Sequence, residues 1–182
     1  MKKIFAACAC LLLLLSACGN NNGKIRPKLP PVESIEDTPN YILQGFTLRS
    51  SEKTTIRWEV SAKHAQVFEL KKKIFGQGVV ITYNQPDGHK STLAGDKAVI
   101  NTDTNSLVIT GNVTGKASDG TLIKTDKLNW DDERELLYSK DMVTVYKDGA
   151  VLSGRGFESD AGFRNVVIKE RVRLSAETGS DE

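Results

Sequence analysis

The chain of 182 residues offers little to chemistry: two histidines, three cysteines and a few acidic clusters. His64 and His89 have no cysteine or second histidine at ligand spacing, so neither begins a metal site. His89 lies beside the turn Pro86-Asp87-Gly88 and reads as exposed, while His64 reads as structural or solvent-facing. Asp131-Asp132-x-x-Glu135 has the look of an acid pair or cation site. Between two strands, however, such residues more often accept hydrogen bonds from the turn's own backbone. Gly154-Arg155-Gly156 lacks the strand-to-helix context and trailing Lys-Ser/Thr of a phosphate loop. Glycines there fit a bulge or a close backbone approach. No nucleophile stands beside a base. The expectation is no catalytic residue, no metal and no cofactor, and so not an enzyme.

The cysteines belong to the N-terminus. Met1-Lys2-Lys3 is a basic start, and Ile4 to Leu15 is an apolar run of 12 residues. That is too short to span a bilayer comfortably and reads as a signal peptide over 1–17. Leu15-Ser16-Ala17-Cys18 resembles the lipobox of bacterial lipoproteins, in which the cysteine becomes the lipidated first residue. An ordinary signal peptide cut near Ala17 is the alternative. Cys8 and Cys10 would leave with the leader, so no thiol remains for a disulfide. Several acyl chains on Cys18 would anchor the protein stably, at roughly 0.8 kcal/mol per buried methylene. Residues 18–41 then form a linker rich in Asn and Pro, reaching roughly 25 Å as a coil and about 70 Å if extended. Without Lys2 and Lys3 the 25 basic residues become 23, matching the 23 acidic ones. That balance speaks against nucleic acid as a partner.

From Ile42 to Leu174 the elements are strands, followed by a polar tail over 175–182. Ile56, Trp58, Val60 and Ala62 alternate with Arg57, Glu59, Ser61 and Lys63, the period of a half-buried strand. Pro86-Asp87-Gly88, Asp103-Thr104-Asn105, Ser118-Asp119-Gly120, Asp131-Asp132-Glu133 and Lys147-Asp148-Gly149 punctuate the rest as turns. A short helix around Val67–Lys73 is the one possible exception. The pattern also repeats. Asp126-Lys127-Leu128-x-Trp130 echoes Asp96-Lys97-Ala98-x-Ile100 at an offset of 30, and Leu137 and Val143 echo Leu107 and Val113. Units of this size stack because none buries its apolar face alone. The predicted class is all-β: an open, twisted stack of antiparallel hairpins giving two facing sheets.

In such a stack the informative residues are apolar. Trp58, Ile81, Ile100, Trp130, Val143 and Phe157 fall on the inward phase and are candidates to line a groove for lipid chains. Filling an ordinary core is the alternative. Open ends leave edge strands with unpaired backbone groups. The last strand, Val166–Leu174, is such an edge, with Ile168, Glu170, Val172 and Leu174 on one face and Lys169, Arg171 and Arg173 on the other. The basic stripe reads as a solvated face that deters aggregation or as a docking edge.

Three runs carry a resemblance: Thr121-Leu122-x-x-Thr125-x-x-Leu128-x-Trp130-Asp131, Ser139-x-x-x-Val143-x-Val145, and Leu152-x-Gly154-x-Gly156-Phe157-Glu158-Ser159-Asp160. Over Ile56–Leu174 the chain resembles the LptC family of lipopolysaccharide-export proteins, in a lipoprotein-type form. The resemblance implies an open β-jelly roll like that of OstA and LptA. It implies a periplasmic bridge component that receives lipopolysaccharide from an inner-membrane ABC transporter and passes it to an LptA-like bridge protein through the C-terminal edge. Better-known members hold the inner membrane by a transmembrane helix, whereas this chain shows a lipobox. The inner membrane remains the expected location, with the outer membrane as the alternative. A membrane-anchored periplasmic carrier of lipid or lipoprotein, outside any bridge, is the competing reading.

The anchor is directly measurable. Mass spectrometry of the mature protein is expected to find acylated Cys18 as its first residue. An unmodified Cys18 would remove the lipid anchor.

Overall fold

The computed structural model describes residues 37–52 and 55–176. The expected leader, Cys18 and most of the linker lie outside the described residues, as does the tail beyond Ala176. Among the described residues there are nine strands: β1 (Tyr41–Glu52), β2 (Thr55–Phe68), β3 (Lys73–Asn84), β4 (Lys90–Asn101), β5 (Ser106–Ala117), β6 (Leu122–Asp131), β7 (Leu136–Lys147), β8 (Ala150–Ser159) and β9 (Val167–Ala176). They pair antiparallel in sequence order. The all-β class is as expected, and each sequence repeat is one hairpin. The short helix is not formed: β2 and β3 are joined by a tight turn in which Lys72, at φ 53°, donates its N–H to the Glu69 carbonyl over 3.1 Å.

The two expected sheets are the two halves of one sheet. Ser91 and Ile100, nine residues apart on β4, line the same cavity. A straight strand would separate them by roughly 30 Å. β4 must therefore turn over between them, and its register against β5 shifts between Ala94 and Lys97. Matching shifts fall mid-strand at Thr110/Val113, Thr125/Asn129, Ser139/Met142 and Ser153/Arg155. Gly111 at φ 79° and Asn112 at φ 47° supply the left-handed backbone for the turn in β5.

Side-chain parity changes at this line. β4 buries Ser91 and Leu93 and then Ala98, while β6 buries Ile123 and Thr125 and then Leu128. Without the extra residue the second half of β4 or β6 would turn its apolar side to water, whereas β5 (Leu107, Ile109, Val113) and β7 (Leu137, Ser139, Val143) keep one parity throughout. Across the first layer the pairing aligns one row through all nine strands: Leu48, Val60, Ile81, Leu93, Gly115, Ile123, Val145, Leu152 and Leu174. A parallel row in the second layer runs through Ile74, Ile100, Leu107, Trp130 and Leu137.

Between the layers, Ile109, Val113, Ile123, Leu128, Val143 and Phe157 are each no more than 2 % exposed. Trp58 and Trp130 only pack against this cluster. Phe157→Ala is expected to destabilise by roughly 3–5 kcal/mol, as for an aromatic truncated in a close-packed core. Trp130→Ala is expected to cost less, because its ring faces open space. Urea unfolding of the two variants tests the division; equal losses would contradict it.

Candidate functional site

A cavity of about 390 Å³ lies between the layers, within the range of roughly 300–1,000 Å³ common for small-molecule pockets. Val60, Ile81 and Leu93 from the first layer face Ile100, Leu107 and Leu137 from the second. Trp58 and Trp130 complete the apolar wall. Ser50, Tyr83, Ser91, Asn105 and Asp132 supply polar groups. Asp132, in the β6–β7 turn, accepts from Trp130 Nε1 over 3.2 Å and from Asn105 Nδ2 over 3.4 Å. This contact ties the indole to the turn and couples two neighbouring hairpin ends. Arg57 Nη2 donates to the Tyr83 hydroxyl over 3.3 Å beside Trp58. The apolar part of this lining suits apolar chains.

Four candidate residues, Trp58, Ile81, Ile100 and Trp130, meet on this wall. Val143 and Phe157 do not. At 1 % and 0 % exposure they are packed into the core beyond it, because inward phase alone does not separate a cavity wall from a filled interior. At these two residues the interior is packed rather than open.

The acidic cluster is divided among turn contacts. Asp131 Oδ1 accepts the Arg134 N–H over 3.1 Å, Asp132 serves Trp130, and Glu135 sits at φ 49°. Among the described residues no three His, Cys, Asp or Glu side chains are grouped to hold a metal. Gly154 and Gly156 lie at the β8 bulges. A Cβ on Gly154 would stand 2.5 Å from Ile168 Cγ2 and 2.7 Å from the Glu170 carbonyl, so the glycine permits close approach of β9.

The edge strand is partly as expected. β9 pairs only with β8 among the described residues, which leaves its other side as an edge. Ile168 packs against the core opposite Phe157, whereas Glu170, Val172 and Leu174 are exposed. Val172 and Leu174 are 53 % and 70 % exposed. Arg171, at φ 53°, occupies the bulge, and Lys169 is ion-paired with Glu158. The basic face is thus broken by one bulge and one intramolecular pair.

Sequence reasoning missed the segment after β8. Residues 160–166 form a strap that leaves the second layer at β8, touches the first layer and returns to start β9. Asp160 organises it by accepting the N–H groups of Gly162 (2.8 Å), Arg164 (3.2 Å) and Asn165 (3.1 Å). Ser91 Oγ donates to the Ala161 carbonyl at 2.5 Å, and Arg164 pairs with Asp87. His89 is not simply exposed. Its half-buried ring contacts the Gly162 carbonyl through Nε2 at 2.8 Å and Ser118 Oγ through Nδ1 at 3.1 Å. Phe163, 0 % exposed and at φ 59°, is driven into the interior. A bulky residue rarely adopts that backbone region. Burying the ring offsets strain of order 1–3 kcal/mol. Nothing local signalled where the phenyl ring would land.

The fold and cavity define an open β-jelly roll, one sheet doubled over an apolar interior. The family model described as Lipopolysaccharide-assembly, LptC-related matches residues 7–177, and the chain belongs to this LptC family. A search of curated proteins finds no match. The family serves lipopolysaccharide transport, is periplasmic and linked to the inner-membrane transporter, and is not a known enzyme family.

The strap carries a pH prediction. The Asp87 carboxyl is held below its ordinary 3.8, chiefly by the His89 N–H it accepts and further by Arg164. A carboxyl with a lowered folded pKa stabilises the latched state above about pH 3.8, and that contribution is lost as pH falls through the lower folded value. Hydrogen exchange at Arg164 and Asn165, corrected for intrinsic rates, is expected to accelerate in that acid range and to lose this dependence in Asp87→Asn. Identical profiles in both proteins would contradict it.

Proposed function

We propose that the protein is the periplasmic component of a lipopolysaccharide-export bridge. It receives lipopolysaccharide from an inner-membrane ABC transporter and passes it to an LptA-like protein. The observation that carries this reading is the apolar cavity between the layers, walled by Trp58, Ile81, Ile100 and Trp130, in a chain of a lipopolysaccharide-transport family. Its size suits part of an acyl chain, with the sugar and phosphate portion left in water. Ten buried methylenes contribute roughly 8 kcal/mol before association costs are subtracted. That supports retention without irreversible capture, as a relay requires. The driving force for direction resides in the transporter's ATPase.

In this reading 1–17 is the signal peptide and Cys18 carries the lipid. The linker of 18–41 spaces the body of 42–174 from the membrane, which is the inner one. The exposed side of β9 receives a strand of the bridge protein, with Val172 and Leu174 extending the apolar interior across the junction. Head-to-tail addition does not close on itself and therefore suits an extended bridge.

Photo-crosslinking in cells tests both contacts. A photoreactive residue at Trp130 is expected to capture lipopolysaccharide, one at Val172 the bridge protein, and one at the outward Glu59 neither. Equal lipid capture at Trp130 and Glu59 would exclude the cavity as the lipid site.

A further inference from the structure

The row of side chains through the first layer is apolar from edge to edge except at its centre. Leu48, Val60, Ile81 and Leu93 precede Gly115, and Ile123, Val145, Leu152 and Leu174 follow it. The space above the glycine is taken by Phe163 from the strap. A Cβ placed on Gly115 would lie 2.7 Å from Phe163 Cζ and 3.2 Å from Leu93 Cδ2. Leu93 is a cavity wall, and Ala161, two residues before Phe163, is another. The ring therefore stands at the boundary between the cavity and the packed half that leads to β9.

From this placement we propose that Phe163 on Gly115 is a gate on the path of the acyl chain, closed in this structure and opened by displacement of the 160–166 strap. The proposal rests on the reading of the cavity as a lipid site. A chain in the cavity meets the ring before it can reach Ile123, Val145 or Leu152. The row resumes beyond the ring and ends at the exposed Leu174 on the partner edge. Phe163 has a left-handed backbone at φ 59°, in a turn of the strap closed by its N–H to the Asp160 carbonyl at 3.2 Å. The surrounding contacts suit a hinged closure. The strap is held to the first layer by Ser91–Ala161, His89–Gly162 and Arg164–Asp87, none of which is a strand pairing. Detaching it leaves the register of all nine strands unchanged.

The test places a photoreactive residue at Trp58, on the cavity wall, or at Leu152, beyond the ring, in the full-length chain with lipopolysaccharide and the transporter. The native protein is expected to capture lipid at Trp58 and little at Leu152. Gly115→Ala displaces the ring without substituting a strap residue, and Phe163→Ala removes it. Both are expected to raise capture at Leu152 several-fold while leaving capture at Trp58 unchanged. Cooperative thermal unfolding checks that each variant is folded. Should a core-facing variant fail, the double variant His89→Ala and Arg164→Gln loosens the latch from the rim and is expected to do the same. Strong capture at Leu152 in the native chain, or no increase in any folded variant while Trp58 still captures, would overturn the gate alone. Capture at neither position would overturn the cavity reading and the gate with it.

Discussion

The structure depends on one constraint of register: every long strand must keep its apolar side inward on both sides of a fold. Strands of ten to fourteen residues have two halves, and a period-two pattern shifted by one residue would expose the second half. The mid-strand bulges mark the bend, and in β4 and β6 an extra residue also keeps the apolar side inward beyond it. Because they fall in line from β4 to β9, one hydrogen-bonded sheet becomes two facing layers. Closure into a barrel is not needed, and β1 and β9 remain as edges. An architecture that extends by adding strands leaves such edges; a closed barrel abolishes them.

Packing is uneven along this doubled sheet. Toward β8, Val143, Phe157 and Phe163 fill the interior to the density of an ordinary core. Elsewhere Trp58, Ile81 and Ile100, with Trp130 and Leu137 of β6 and β7, surround empty volume. The packed part holds the layers together, and the cavity is the part left open between them. Among its polar lining groups, Asp132 in the β6–β7 turn orients the Trp130 indole.

The strap joins the two parts. Its contacts are side chain to backbone or ion pair, made across 70 or more residues of sequence. Such contacts open at less cost than a strand ladder, since few buried apolar groups separate with them. The exception is Phe163, whose burial ties a surface loop to the core. That single ring makes the loop part of the interior's architecture.

Much of this was legible in the chain itself. Alternation in Thr55–Ala62, the spaced turn residues and the offset of 30 specify strands, hairpins and their order, because each is a local property of backbone sterics and burial period. Even the bulges left a trace: the repeated Asp96-Lys97 and Asp126-Lys127 pairs lie at the register shifts of β4 and β6. The inward phase of Trp58, Ile81, Ile100 and Trp130 was equally available, and family membership reinforced it. What the tertiary structure alone decided is which inward residues face atoms and which face space. Val143 and Phe157 look like Ile100 and Trp130 in periodicity, yet they are enclosed because Phe163 and neighbouring strands fill the volume around them. The strap, the role of His89 and the vacancy above Gly115 that Phe163 fills arise from contacts between residues far apart in sequence. Such contacts depend on where the doubled sheet brings its two layers together, and no local pattern of residues encodes that distance.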